Sequence, residues 1–213
     1  MLFLNAVLSA IPAVIVAAVI IYKNIKTEIS SADIITFMLA GSFAVFPAAA
    51  AELLLSGYTR NIEGLWKLVV DAVLISALIE ETAKILLLGA IFNIKKITTL
   101  KSAAAIAVAS GTGFAFLENI MYSFDHSFVV IMRSLSAVPL HIITAVIIGL
   151  SLIKTSPQKR TSIISGFTHA IIIHGLYDFL LSTQSFYSFL IVPLLLRAGY
   201  SIYFNYKKES GGR

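Results

Sequence analysis

Four stretches of an otherwise apolar chain carry side chains that could do chemistry. Glu80, Glu81 and Lys84 lie in the first, Glu118 in the second, Arg133 and His141 in the third, and His174 and Asp178 in the fourth. Carboxylates and imidazoles gathered around one water can act in two related ways. They can bind a divalent metal, which lowers the pKa of its bound water toward ~7 and makes a nucleophile; zinc accepts such ligands and keeps one position open for water. Alternatively, a buried glutamate with a raised pKa takes the proton from water directly. Either route hydrolyses an amide. Other protease chemistries leave no mark: there is no Gly-x-Ser-x-Gly, no His-Glu-x-x-His, no Gly-x-Gly-Asp, and no cysteine for a thiol nucleophile or a Cys-ligated zinc.

Helical spacing sorts these groups. His174 and Asp178 are at i,i+4 and share a face, so one helix offers both to one site. Glu80 and Lys84 are also at i,i+4, with the acid N-terminal, the favourable order for an ion pair. Glu81 points about 100° away from Glu80, so one of the two serves the site while the other pairs with Lys84. Arg133 reads as a structural partner for an acid. His169, about 140° around the helix from His174, reads as a packed or supporting histidine, and Asp71 as a partner of Lys67.

These groups need elements to hold them, and composition says which. The 213 residues are 58% hydrophobic and 13% charged, with a mean hydropathy of +0.92. That is too apolar for a water-facing globule, which excludes a soluble enzyme, a nucleic-acid binder and a disordered scaffold. Seven apolar segments approach the ~20 residues that cross a bilayer: Leu2–Tyr22, Asp33–Leu55, Leu65–Phe92, Ser102–Phe124, Phe128–Ile153, Ser162–Leu181 and Phe186–Tyr206. The expected fold is an all-α, multi-pass helix bundle in the cell membrane, one domain over 1–213, with a motif-bearing core at about 65–181. The first segment has no basic residues before it and reads as a retained helix. Lys23, Lys26, Lys95, Lys96, Lys101, Lys154, Lys159, Arg160, Lys207, Lys208 and Arg213 all fall on one side, against Arg60 and Lys67 on the other. This bias puts the N-terminus outside and the C-terminus in the cytoplasm. The small residues from Ser102 to Gly113 suit close helix packing.

A charge at the centre of a span costs at least ~2.5–3.5 kcal/mol, so a concentration of them in four consecutive spans points to one polar interior. At ~1.5 Å of rise per residue, Glu80 and His174 each lie roughly 18 Å from the inner edge, Glu118 and Asp178 roughly 24 Å, and His141 roughly 20 Å from the outer edge. All five can line one cavity between midplane and outer leaflet. The bland alternative for the set is hydrogen bonding between helices.

The stretches Glu80-Glu81-Thr-Ala-Lys84, Gly113-Phe-Ala-Phe-Leu-Glu118-Asn-Ile-Met-Tyr122, Arg133…Pro139-Leu-His141 and His174-Gly-Leu-Tyr-Asp178-Phe resemble, in order and placement, the signature blocks of the PrsW family of membrane proteases. That family is related to the CPBP/Abi group of type II CAAX-processing proteases. The resemblance implies a multi-span endopeptidase, usually classed with the metallopeptidases, that cleaves a membrane-anchored protein such as an anti-sigma factor. Carried over by motif, Glu80, Glu81 and Glu118 bind metal or activate water, His174 and Asp178 complete the site as ligands or oxyanion stabilisers, and Lys84 is the pair partner. The implied divalent metal, zinc by donor type, has Glu81, Glu118, His141, His174 and Asp178 as its ligand set, with Lys84 and Arg133 as structural partners. CPBP relatives resemble this pattern with histidine where Glu118 stands and often asparagine where Asp178 stands, so this site is the more acidic. The segment Lys23–Ala32 replaces an Asp/Glu-Pro stretch found in many PrsW-like chains. Two rivals follow from the residues alone: a non-catalytic scaffold of the same fold, and a proton- or ion-coupled transporter, although the paired halves of many transporters are not visible.

Overall fold

The computed structural model describes residues 10–19, 29–123, 127–153 and 159–209, with side chains from 132 onward in the third stretch and from 161 to 208 in the fourth. Every regular element among them is helical: α1 (Ala10–Val19), α2 (Ser31–Ser56), α3 (Gly64–Val70), α4 (Leu78–Lys95), α5 (Leu100–Tyr122), α6 (Ser127–Ile153), α7 (Lys159–Ser182) and α8 (Ile191–Glu209). Five of these helical stretches are long and apolar enough to cross a membrane: Ser31–Thr59, Leu100–Tyr122, Met132–Ile153, Thr161–Ser182 and Phe186–Lys208. The two other expected spans differ. The first is described only as the short apolar α1. The third is a continuous helix from Gly64 to Lys95 whose apolar run is broken by Lys67, Asp71, Glu80, Glu81 and Lys84. Lys23, Lys26, Lys154 and Arg213, and the side chains of Lys159 and Arg160, lie outside the described residues.

Side-chain caps mark two of the starts. Ser30 accepts from the Asp33 N–H at α2, and Thr99 accepts from the Ser102 N–H at α5, each satisfying an amide that a helix start leaves without a partner. Between α3 and α4, Asp71–Ala77 is wound as a π-helix, and Leu78 N–H bonds to Val73 O, five residues back. Such wide turns cluster at functional sites because they re-aim the side chains around them.

α5 is the central post. Most of it is buried, with α2 on one flank and α6 on another, while α7 packs on α6 and on the π-helical turn. The small residues of α5 set the distances. A Cβ on Gly113 would lie 1.9 Å from Met38 O of α2, and one on Gly41 would lie 2.0 Å from Ser110 O of α5. These helices therefore cross backbone on backbone, and Ser42 Oγ donates to Gly113 O at 2.8 Å to tie the crossing. On the other flank, a Cβ on Gly111 would meet His141 O at 2.5 Å, so glycine lets the His141 turn of α6 lie against α5. Gly175 does the same for α7, where a Cβ would come within 2.9 Å of Val73 in the π-helical turn. The main apolar core joins α2, α4, α5, α6 and α7 through Ile34, Leu88, Ile106, Ile148 and Ala170. The charged cluster sits beyond this core, toward the end of the bundle where α2 and α5 finish.

Candidate active site

Glu80, Glu81 and Lys84 come from α4, Glu118 from α5, Arg133 and His141 from α6, and His174 and Asp178 from α7. The bundle brings all eight into one contiguous cluster. Burial is nearly complete: Glu81 and His141 are 0% exposed, His174 1%, and Glu80, Lys84, Glu118 and Arg133 no more than 5%.

Glu81 is the hub of one half. Its Oε1 accepts from Lys84 Nζ at 2.6 Å and faces His174 Nδ1 at 2.6 Å. A carboxylate here can only accept, so His174 Nδ1 carries a proton toward Glu81, and Nε2 points the other way. Nε2 then lies 3.3 Å from Asp178 Oδ2 and 3.8 Å from Glu80 Oε2. Asp178 is held in turn by Ser76 Oγ, which donates to its Oδ2 at 2.5 Å and lies 3.3 Å from Glu80 Oε1. Lys84 thus sits closer to Glu81 than to Glu80, whose Oε2 is 4.0 Å away.

His141 anchors the other half. Lys84 Nζ, a donor only, lies 2.8 Å from His141 Nδ1, so Nδ1 accepts. That leaves the proton on Nε2, 2.5 Å from Glu118 Oε2. The second Glu118 oxygen takes Arg133 Nη2, and the Arg133 guanidinium lies over the Tyr122 ring at 3.9 Å, a cation–π contact that fixes its plane. Ser136 Oγ and Tyr177 OH share a hydrogen bond of 2.9 Å beside it.

Glu80 faces both histidines. Its Oε2 is buried and has no hydrogen-bond partner, yet His174 Nε2 lies 3.8 Å and His141 Nδ1 3.9 Å from it. Glu80, His141 and His174 form a group able to hold a metal ion, with ligand atoms all within 4.8 Å of one another. A tetrahedral ion with bonds of ~2.0–2.1 Å keeps its ligand atoms about 3.3 Å apart, so each imidazole nitrogen must come about half an ångström nearer Glu80 Oε2, and no pair in the group need close by more than about 1.5 Å. Charge agrees: four carboxylates, Glu80, Glu81, Glu118 and Asp178, face two permanent cations, Lys84 and Arg133. Two negative charges are left for a divalent cation or for protons to balance. The donor set fits a zinc-like ion, with one condition: His141 Nδ1 becomes a ligand only when Lys84 moves off it.

Of the groups singled out in the sequence, Glu81, Glu118 and Asp178 flank this inner trio, each hydrogen-bonded to or facing one of its histidines. Lys67 pairs with Asp71 at 2.9 Å on the surface. His169 is neither packed nor supporting: it is exposed, with Nδ1 2.7 Å from Ser165 O. Ser76 and Glu52 stand outside that set. Ser76 continues the i,i+4 row of Glu80 and Lys84 by one more turn, a pattern that could have found it. Glu52 extends the buried stripe of α2 (Ile34, Phe37, Gly41, Val45, Ala48) by one turn and faces the cluster's cavities.

The PrsW family intramembrane metalloprotease model matches residues 30–199, which includes every residue of the cluster. Protease PrsW of Clostridioides difficile (strain 630) is 26% identical over 174 residues, spanning 76% of this chain and 72% of its own. No solved structure matches the chain. A family match over most of the length, together with several apolar membrane-crossing helices and a buried Glu/His/His group able to hold a metal, means that the chain is a multi-pass membrane protein and belongs to the PrsW protease family.

Proposed function

We propose that this chain hydrolyses a peptide bond of a membrane-anchored protein, an anti-sigma factor or a similar single-span substrate, close to the outer leaflet. The observation that carries this reading is Glu80 Oε2: a buried carboxylate oxygen without a hydrogen bond, facing two imidazole nitrogens. In this reading one domain of seven spans, with the N-terminus outside and the C-terminus in the cytoplasm, buries the cluster within the bundle. Lys95, Lys96 and Lys101 around the α4–α5 junction, and Lys207 and Lys208 at the end of α8, support that orientation.

Glu80, His141 and His174 would hold the ion, and Glu81, Glu118 and Asp178 would orient the two histidines. When bound, a zinc-like ion supplies a water of lowered pKa and polarises the scissile carbonyl. The chain's own groups do the rest. Glu81 keeps the His174 proton on Nδ1, so Nε2 faces the reacting centre. Asp178, fixed by Ser76, stands beside that nitrogen. Where no ion is bound, Glu80 is placed to take the water's proton itself. Arg133 holds Glu118 against His141, which keeps the imidazole from turning.

The test is elemental analysis of the purified protein beside His174→Ala and Glu80→Gln, with cleavage of a single-span reporter measured on the same samples. About one ion per chain in the wild type, lost in His174→Ala together with cleavage, is the expected result. Cleavage that persists in Glu80→Gln would remove Glu80 from the chemistry and refute this reading.

A further inference from the structure

Two cavities reach the cluster, and they share a wall. The first, 290 Å³, runs between α2 and α5 to Glu80 and Glu118; the second, 520 Å³, runs between α2, the π-helical turn and α7 to Asp178 and Arg133. Ala49, Glu52 and Tyr122 line both. Glu52 is half-buried and is placed there by the packed stripe of α2, being four residues beyond Ala48.

The other acids of these walls are partnered or are needed at the centre. Glu118 is paired with Arg133, Asp71 with Lys67, and Asp178 accepts from Ser76. Glu80 faces the histidines. Glu52 has no hydrogen bond and no ion pair among the described residues. A half-buried carboxylate without a partner carries a desolvation cost that an arriving donor offsets. The walls are also one-sided: Glu52, Asp71, Glu80, Glu118 and Asp178 stand against Arg133 alone. A cleft of one sign with low-dielectric walls concentrates the opposite charge. The buried Glu80 Oε2, without a hydrogen bond and lining the same space, shows that the cavity ends at a group open to a ligand.

We propose that Glu52 is a specificity residue whose carboxylate receives a basic side chain, lysine or arginine, from the substrate segment lying in the cavity. This rests on the reading of the cluster as a peptidase site. Glu52 touches the segment near the reacting bond but not the bond itself, so it acts on binding and leaves the water to Glu80 and the histidines.

The experiment uses the full chain in detergent micelles and labelled single-span peptides in which lysine, glutamine or glutamate is walked one residue at a time along one flank of the apolar span. Binding is read by fluorescence anisotropy and cleavage by mass spectrometry. At one or two positions the wild type should bind the lysine peptide about tenfold more tightly than the glutamine peptide, the worth of one charge-assisted hydrogen bond. The difference should appear in KM. Glu52→Gln should bring that ratio to about one, and Glu52→Lys should favour the glutamate peptide at the same position. A lysine preference that survives Glu52→Gln overturns the proposal, as does a wild type with no preference or a variant that loses all three peptides equally. A Glu52-dependent lysine preference with no peptide cut would uphold Glu52 and overturn the peptidase reading; cleavage with no lysine preference would do the reverse.

Discussion

Replacing Glu81 by glutamine removes one negative charge from the most buried point of the cluster. The side chain is 0% exposed, and its Oε1 alone serves both Lys84 Nζ and His174 Nδ1 at 2.6 Å. The glutamine oxygen can still accept from His174, but Lys84, 3% exposed, keeps its charge with Glu80 no nearer than 4.0 Å. Leaving one member of a buried pair uncompensated costs about 3–5 kcal/mol. For a chain of this length each kcal/mol moves the melting temperature by about 2–4 °C, so Glu81→Gln should melt about 6–20 °C below the wild type. Lys84→Met alone should be similarly harmful. The double variant should recover most of the loss, because removing both charges of a buried pair is close to neutral. Thermal unfolding in micelles, followed by the helical circular dichroism signal, measures all four corners of the cycle. A Glu81→Gln melt within about 2 °C of the wild type, or a double variant with the sum of the single losses, would refute the claim that this pair is a buried unit.

Other expectations test the frame around it. Gly113→Ala places a methyl 1.9 Å from Met38 O, so α2 must move off α5; a loss of at least about 1–3 kcal/mol is expected. Gly89→Ala, with nothing within 4 Å, should be neutral or stabilising by about 0.5–1 kcal/mol. Thermal melts of the two side by side check the contrast. Ser76→Ala takes the donor from Asp178 Oδ2 and should lower kcat about tenfold with little change in melting temperature, read from reporter cleavage. Lys95→Ala breaks an exposed pair with Asp33 and should cost no more than about 1 kcal/mol, less at high salt, as a salt series of melts would show.

Much of the arrangement was legible because charge inside a span is so costly that each instance carries information. Glu80, Glu118, His141, His174 and Asp178 could be gathered by depth alone, without knowing which helices touch. Depth is a one-dimensional coordinate, however, and assigning partners needs rotation as well. The i,i+4 rule favours Glu80 as the mate of Lys84, whereas the lysine leans toward Glu81 at i,i+3, because His141 and Thr144 of α6 draw its ammonium to that side. The π-helical turn has no signature in the hydrophobic pattern, so the reach of Ser76 to Asp178 lay out of view. Glu52, near the end of its apolar run, carries no specific signal in the sequence; only the packed stripe of α2 turns it toward the site. Close packing of the glycines on α5 was legible from their bunching, but which backbone each one meets was not.

The crossings at Gly41, Gly111 and Gly113 meet backbone atoms of the partner helix: Ser110 O, His141 O and Met38 O. A carbonyl oxygen is common to all twenty residue types, so the interhelical distance at these points is encoded on one side only. At the Met38 crossing, α5 tolerates no side chain at 113, while α2 can change residue 38 with no compensating change opposite. Selection acting on such a joint leaves no correlated pairs for a comparison of sequences to detect. The helix spacing on which the cluster depends can therefore persist through drift at the residues that offer only a carbonyl, and the invariance to look for lies in single glycines on either helix, not in matched positions.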